Sequence, residues 1–136
     1  LAVNELLNGG VVIIFPSGAI SRAKRLVDKA VDPIWKKFVA KLATQPNTQV
    51  LPFFIEGQNT PVFQFAIHCS QTLGYSLMFR EICKRMYRPV NIQMRPILTN
   101  QMITDITDRN KLVDTLRNVT YFGTAEASDS INNSLK

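Results

Sequence analysis

Three positive side chains, Arg22, Lys24 and Arg25, follow the run Phe15-Pro16-Ser17-Gly18 within seven residues, with Ser21 just ahead of them. Four β-branched residues, Val11, Val12, Ile13 and Ile14, lead into that run. A buried strand of an α/β sheet delivers its C-terminal end to the rim where ligands bind. Pro16 and Gly18 turn the chain there, and glycine lets backbone N–H groups come close to a ligand. Ser21, Arg22, Lys24 and Arg25 then stand where an anion would sit. The same residues also fit a strand that leaves the core into a solvated basic loop.

Other chemistries find less support. Neither G-x-x-x-x-G-K-[ST] nor G-x-G-x-x-G occurs, so no nucleotide-phosphate loop is expected. His68 is the single histidine, placed in an apolar stretch beside Cys69 without a nearby carboxylate, and reads as structural. Ser17 sits in F-P-S-G rather than G-x-S-x-G and has no histidine to serve it, so a hydrolase triad is rejected. Cys69 and Cys83 fall in one helical region, about 21 Å apart in a continuous helix and beyond disulfide reach. They read as two buried free thiols, and without paired C-x-x-C units no zinc site is expected. Residues 62–79 carry Phe63, Phe65, Tyr75, Met78 and Phe79, which fit ordinary core. An acyl-chain groove or an interfacial helix is the other reading, because a basic cluster follows the apolar stretch.

The elements that position these groups follow from periodicity. Residues 1–8 have helical spacing and stop at Gly9-Gly10. Residues 11–15 form an apolar run expected of a strand buried on both faces of a parallel sheet. A helix is predicted from Pro33, with Asp32 as N-cap, Ile34, Phe38, Val39 and Leu42 inward, and Lys36, Lys37 and Lys41 outward. Residues 50–55 predict a second strand, with Pro52 marking an edge or bulge. Strand, helix and strand then make a βαβ unit. Residues 62–86 predict two helices broken at Gly74, and residues 90–94 a half-buried strand. Residues 105–119 predict an amphipathic helix with Ile106, Leu112, Val113 and Leu116 inward. Residues 122–136 read as a flexible tail. The expected fold class is α/β, a mostly parallel twisted sheet flanked by helices.

At 136 residues, 46% apolar and 19% charged, the chain has the size and composition of one globular domain. The net charge of +6 is uneven. Residues 1–95 hold 12 of the 16 Lys/Arg against 5 of the 10 Asp/Glu, for +7, and the remainder carries −1. That excess points to an anionic partner: a phosphorylated metabolite, an acidic membrane surface or nucleic acid. No apolar run reaches the length of a spanning helix, and no secretory signal is visible.

The blocks "FPSGAISRAKR", "WKKFVAKLA" and "VLPFFIEGQN", in that order, resemble the glycerolipid acyltransferase family of the lysophosphatidic acid acyltransferase type, in a bacterial hemolysin-like branch. That family carries F-P-E-G-T-R-S-R at the end of a buried strand and V-P-V on a later one. Phe15, Pro16, Gly18, Ser21 and Arg22 match the first block, while Ser17, Ala19 and Ile20 replace its glutamate, threonine and arginine. Val50 and Pro52 match the second, with Leu51 between them. The resemblance covers residues 1–121 and implies the C-terminal part of an acyltransferase domain.

What the resemblance implies is transfer of an acyl group from acyl-CoA or acyl carrier protein to a lysophospholipid-like acceptor, without any further cofactor. Phe15, Pro16, Ser17 and Gly18 would shape the acceptor pocket, and Ser21, Arg22, Lys24 and Arg25 would hold its polar head. The setting would be peripheral, at the cytoplasmic face of the membrane. The family's catalytic H-x-x-x-x-D lies upstream of these blocks. His68 is followed five residues later by Leu73, so this chain holds no catalytic pair and is expected to be inactive alone. Two rivals stand beside this reading: a non-catalytic lipid-surface binding module and a basic nucleic-acid binder. The second lacks an aromatic–basic motif, so no nucleic-acid partner is expected.

Overall fold

The computed structural model describes residues 1–23 and 28–123. In chain order the elements are α1 (Ala2–Leu7), α2 (Phe38–Ala43), β1 (Phe53–Ile55), α3 (Pro61–Cys69), α4 (Gln71–Ser76), α5 (Met78–Arg85), β2 (Ile92–Met94), α6 (Asn100–Thr104) and α7 (Arg109–Phe122). β1 and β2 pair as a two-stranded antiparallel sheet, extended by the antiparallel bridge between Val50 and Leu98.

The parallel sheet is therefore corrected to a mostly helical fold with one antiparallel pair. Residues 11–15 join no ladder among the described residues. Val11, Ile13 and Phe15 are 84%, 83% and 77% exposed, while Val12 and Ile14 are half-buried. The run is extended and one-sided. Its unbroken apolar composition concealed a period of two. No helix begins at Pro33 either: Asp32 receives the Ser21 hydroxyl, and α2 starts only at Phe38. Pro52, having no N–H, precedes the paired strand, and its carbonyl accepts the Arg95 N–H at 3.0 Å. Residues 92–94 pair as expected but are exposed on both faces.

The chain divides into two compact units. The first comprises residues 1–18, 34–54 and 92 onward. Its core joins Trp35, Val39, Ala40 and Ala43 to Ile103 of α6 and to Leu112, Val113 and Leu116 of α7. Both α2 and α7 use the same i, i+1, i+4 stripe, so each turns one narrow apolar face inward. Burial of each Leu contributes about 1.5–3 kcal/mol. Asp108 caps α7 by accepting the Asn110 N–H at 2.8 Å, and Gly123 closes its far end in the left-handed region. Arg95 donates to the Thr120 and Tyr121 carbonyls at 3.0 and 2.9 Å, satisfying acceptors that the helix end leaves open.

The second unit comprises residues 19–33 and 55–91. Thr60 caps α3 with Pro61 at its first position, and α3 buries Phe63, Gln64, Ala66 and Ile67. The breaks between its helices fall at Ser70 and Leu77, not at Gly74, which lies buried inside α4 against Ile67. Cys69 ends α3 and Cys83 belongs to α5; both thiols are free, as expected, but exposed rather than buried. Among the described residues no helix is long and apolar enough to cross a membrane. Beyond Gly123, the tail expected from residue 122 onward lies outside the described residues.

Candidate functional site

Phe15, Pro16, Ser17 and Gly18 form a tight turn in the first unit. The Gly18 N–H donates to the Phe15 carbonyl at 3.0 Å, and Gly18 takes a φ of +60°, which a side chain would disfavour. Ser17 is buried, which withdraws it from solvent, whereas Phe15 projects outward.

A residue outside the predicted set completes this turn. The Lys36 N–H donates to the Pro16 carbonyl at 3.0 Å, fastening residues 34–37 to the turn. The Lys36 side chain then crosses Gly18. A Cβ at Gly18 would stand 3.1 Å from Lys36 Nζ and 3.4 Å from its Cε. The missing side chain thus leaves room for an ammonium at the mouth of the turn, where Lys37 is also exposed. Periodicity had assigned Lys36 to the outer face of a helix that does not form there. No local signal marks it, because its partner is distant in sequence.

Ser21 and Arg22 belong to the second unit. Ser21 Oγ donates to Asp32 Oδ1 in a short contact, so a carboxylate occupies its hydrogen. Arg22 and Val31 exchange backbone hydrogen bonds of 3.0 Å in each direction. The Arg22 Nε is buried without a hydrogen-bond acceptor among the described residues. Lys24 and Arg25 lie outside the described residues.

The backbone next to Arg22 is clamped from α3. Gln64 and His68, one helical turn apart, grip the two sides of Ala23: Gln64 Oε1 accepts the Ala23 N–H at 3.2 Å, and His68 Nε2 meets the Ala23 carbonyl at 2.8 Å. A carbonyl only accepts, so His68 carries its proton on Nε2. Ala30 N–H is held by Gln58 Oε1 at 2.9 Å, and Arg85 donates to the Gln58 carbonyl.

A recess of about 270 Å³ in the same unit is lined by Gln58, Thr60, Glu81, Arg85 and Arg88. Its buried acid, Glu81, accepts the Thr60 N–H at 2.7 Å and the Thr60 hydroxyl at 2.6 Å. Burial pushes the Glu81 carboxyl up, but the two Thr60 hydrogen bonds, with Lys84 and Arg80 nearby, outweigh it. Its pKa therefore falls below the ordinary value, and the group is a carboxylate at neutral pH. Sequence reasoning passed over this pair. The only available signal was Thr-Pro at the start of α3, which marks Thr60 as a cap but not its partner.

No family model, curated protein or solved structure matches the chain.

Proposed function

We propose that this chain is the acceptor-binding part of an acyltransferase that moves an acyl group from acyl-CoA or acyl carrier protein to a lysophospholipid-like acceptor, at the cytoplasmic face of a membrane. The reading rests on the resemblance of the F-P-S-G and V-L-P blocks. One observation supports it most: the Lys36 ammonium lies over Gly18, so a cation stands at the turn that the resembled family uses for the acceptor's polar head. On this reading Lys36 supplies the positive charge that Ile20, standing for the arginine of the resembled block, does not. An ammonium at a glycine turn attracts and orients a phosphate or carboxylate as a point charge. The chain contributes binding and orientation, and the general base belongs to the H-x-x-x-x-D that the resemblance places upstream.

The experiment is a titration of the chain with lysophosphatidic acid and, separately, with the monoacylglycerol of the same acyl chain. Preference for the phosphorylated lipid that disappears in Lys36→Ala is the expected result. Equal binding of both lipids, or a preference that survives Lys36→Ala, overturns the assignment. For the chemical step, the coding sequence in frame ahead of Leu1 is read: an H-x-x-x-x-D supports it, and a start codon at Leu1 removes it. A second reading, a lipid-surface module without chemistry, is favoured by the apolar side chains that α5 leaves exposed.

A further inference from the structure

Among the described helices of eight or more residues, α5 has the most sharply divided surface, and the division is reversed relative to a core helix. At about 100° per residue, Met78, Phe79, Ile82 and Cys83 share one face, and Arg80, Glu81, Lys84 and Arg85 the other. A helix of a globular unit turns its apolar face inward. In α5 the one buried residue is Glu81, fastened to Thr60, while Phe79 is 76% exposed and Ile82 and Met86 are also exposed. The Thr60 contact thus orients the whole helix: it takes the only acid of α5 inward and leaves an apolar strip outside, bordered by cations. Residues 78–91 carry Arg80, Lys84, Arg85 and Arg88 against Glu81, a net +3.

We infer that α5 lies flat on an anionic lipid surface, with Phe79, Ile82 and Met86 entering the acyl layer and Arg80 and Lys84 at the level of the phosphates. The charge pattern selects this occupant. An apolar strip alone would suit any greasy partner, but an acid drawn inward beneath cationic borders matches a negatively charged interface that is apolar just below its headgroups. This deepens the lipid setting of the proposed function by naming the surface that meets the membrane, and it rests on that setting.

The test is co-sedimentation of the chain with phosphatidylcholine vesicles that contain phosphatidylglycerol, and with vesicles of phosphatidylcholine alone. Binding to the anionic vesicles is expected to exceed binding to the neutral ones. The double variant Arg80→Glu/Lys84→Glu should weaken it by at least about tenfold, since each basic residue near such a surface contributes about fivefold. Phe79→Ser should weaken it by about tenfold through lost apolar burial. Lys111→Glu, an exposed charge reversal on α7, should leave it nearly unchanged. These positions are on the surface, and circular dichroism checks that each variant folds.

Equal binding to neutral vesicles, or equal damage from Lys111→Glu, overturns the inference. So does a loss in Arg80→Glu/Lys84→Glu with none in Phe79→Ser, which is the signature of a phosphate ligand such as nucleic acid. A dimer in sedimentation that Phe79→Ser abolishes, without vesicle binding, would assign the face to a second copy of the chain and also overturn it. Because Lys36 lies in the other unit, its lysolipid preference is scored separately. Vesicle binding can therefore fail while the acceptor assignment stands, and the reverse.

Discussion

Thr60 presents both its backbone N–H and its hydroxyl to one carboxylate, that of Glu81, at 2.7 and 2.6 Å, while its hydroxyl oxygen also accepts the Phe63 N–H at 3.4 Å. One residue thereby caps α3 and anchors α5.

This arrangement gives the chain an acid sensitivity of definite sign. The folded pKa of Glu81 lies below its unfolded value, so between the two values the folded state binds fewer protons than the unfolded state. The stabilisation is complete above the ordinary glutamate value of 4.5 and is lost as pH drops towards the folded value. Glu81→Gln should lower stability at pH 7 by about 1.5–3 kcal/mol, the usual contribution of hydrogen bonds to a charged group. It should also flatten the fall in stability below the ordinary value. Urea denaturation at several pH values checks both, and parallel curves for the two proteins would refute the account.

Gly18 and Lys36 make separable predictions. Gly18→Ala places a Cβ at a φ of +60°, at a cost of about 1–2 kcal/mol. The neighbouring ammonium is the end of a flexible side chain and can step aside. Gly18→Ala should therefore lower the melting temperature, and Lys36→Ala should barely change it. Both should reduce the preference for lysophosphatidic acid over monoacylglycerol. A stable Gly18→Ala variant would show that the turn does not need its left-handed conformation.

His68 holds a backbone carbonyl, which predicts a structural signature. The ring should exist as the Nε2-protonated tautomer, visible in its nitrogen chemical shifts. His68→Ala should destabilise by about 1 kcal/mol through the lost hydrogen bond, and His68→Gln, which keeps a donor, by less. A loss of order in the loop around Ala23 should accompany the alanine variant, read as faster amide exchange at Val31. Unchanged exchange would show that the Gln64 contact alone suffices.

How much of this was legible in the sequence depends on whether the deciding partner was local. Helix α7 was readable because Leu112, Val113 and Leu116 recur at helical spacing and need no distant residue to define their face. Its start was placed too early, since Asp105 ends α6 and Asp108 is the cap. The apolar run at 11–15 was misread because composition does not distinguish a strand covered on both faces from one covered on a single face. Trp35 is buried in the core and Lys36 gives its N–H to Pro16, and these two distant contacts hold residues 34–37 out of the helix that their spacing suggested. Within the candidate site the F-P-S-G turn was visible. The cation lying over it was not, because no local pattern records a contact between Gly18 and Lys36.

Gly74 offers the sharpest separation of packing from propensity. Alanine is the better helix former by about 1 kcal/mol, so at an exposed position of α4 the change would stabilise. Gly74 is instead buried against α3, where an added Cβ would stand 2.7 Å from the Ile67 Cβ and 2.9 Å from its Cα. Neither atom can move without shifting α3 itself, and overpacking of this kind costs about 1–3 kcal/mol. Gly74→Ala should therefore destabilise despite the propensity gain. Ile67→Ala should destabilise through its own cavity, by about 2–5 kcal/mol. In the double variant the new methyl partly fills the space that the isoleucine vacates, so the combined loss should fall short of the sum. Alanine keeps both the Cβ and the Cα of position 67, so only the contact with Cγ1 at 2.8 Å is removed and the rescue stays small. Chemical denaturation of the four proteins measures the coupling, and strict additivity would show that α3 and α4 do not meet at this glycine.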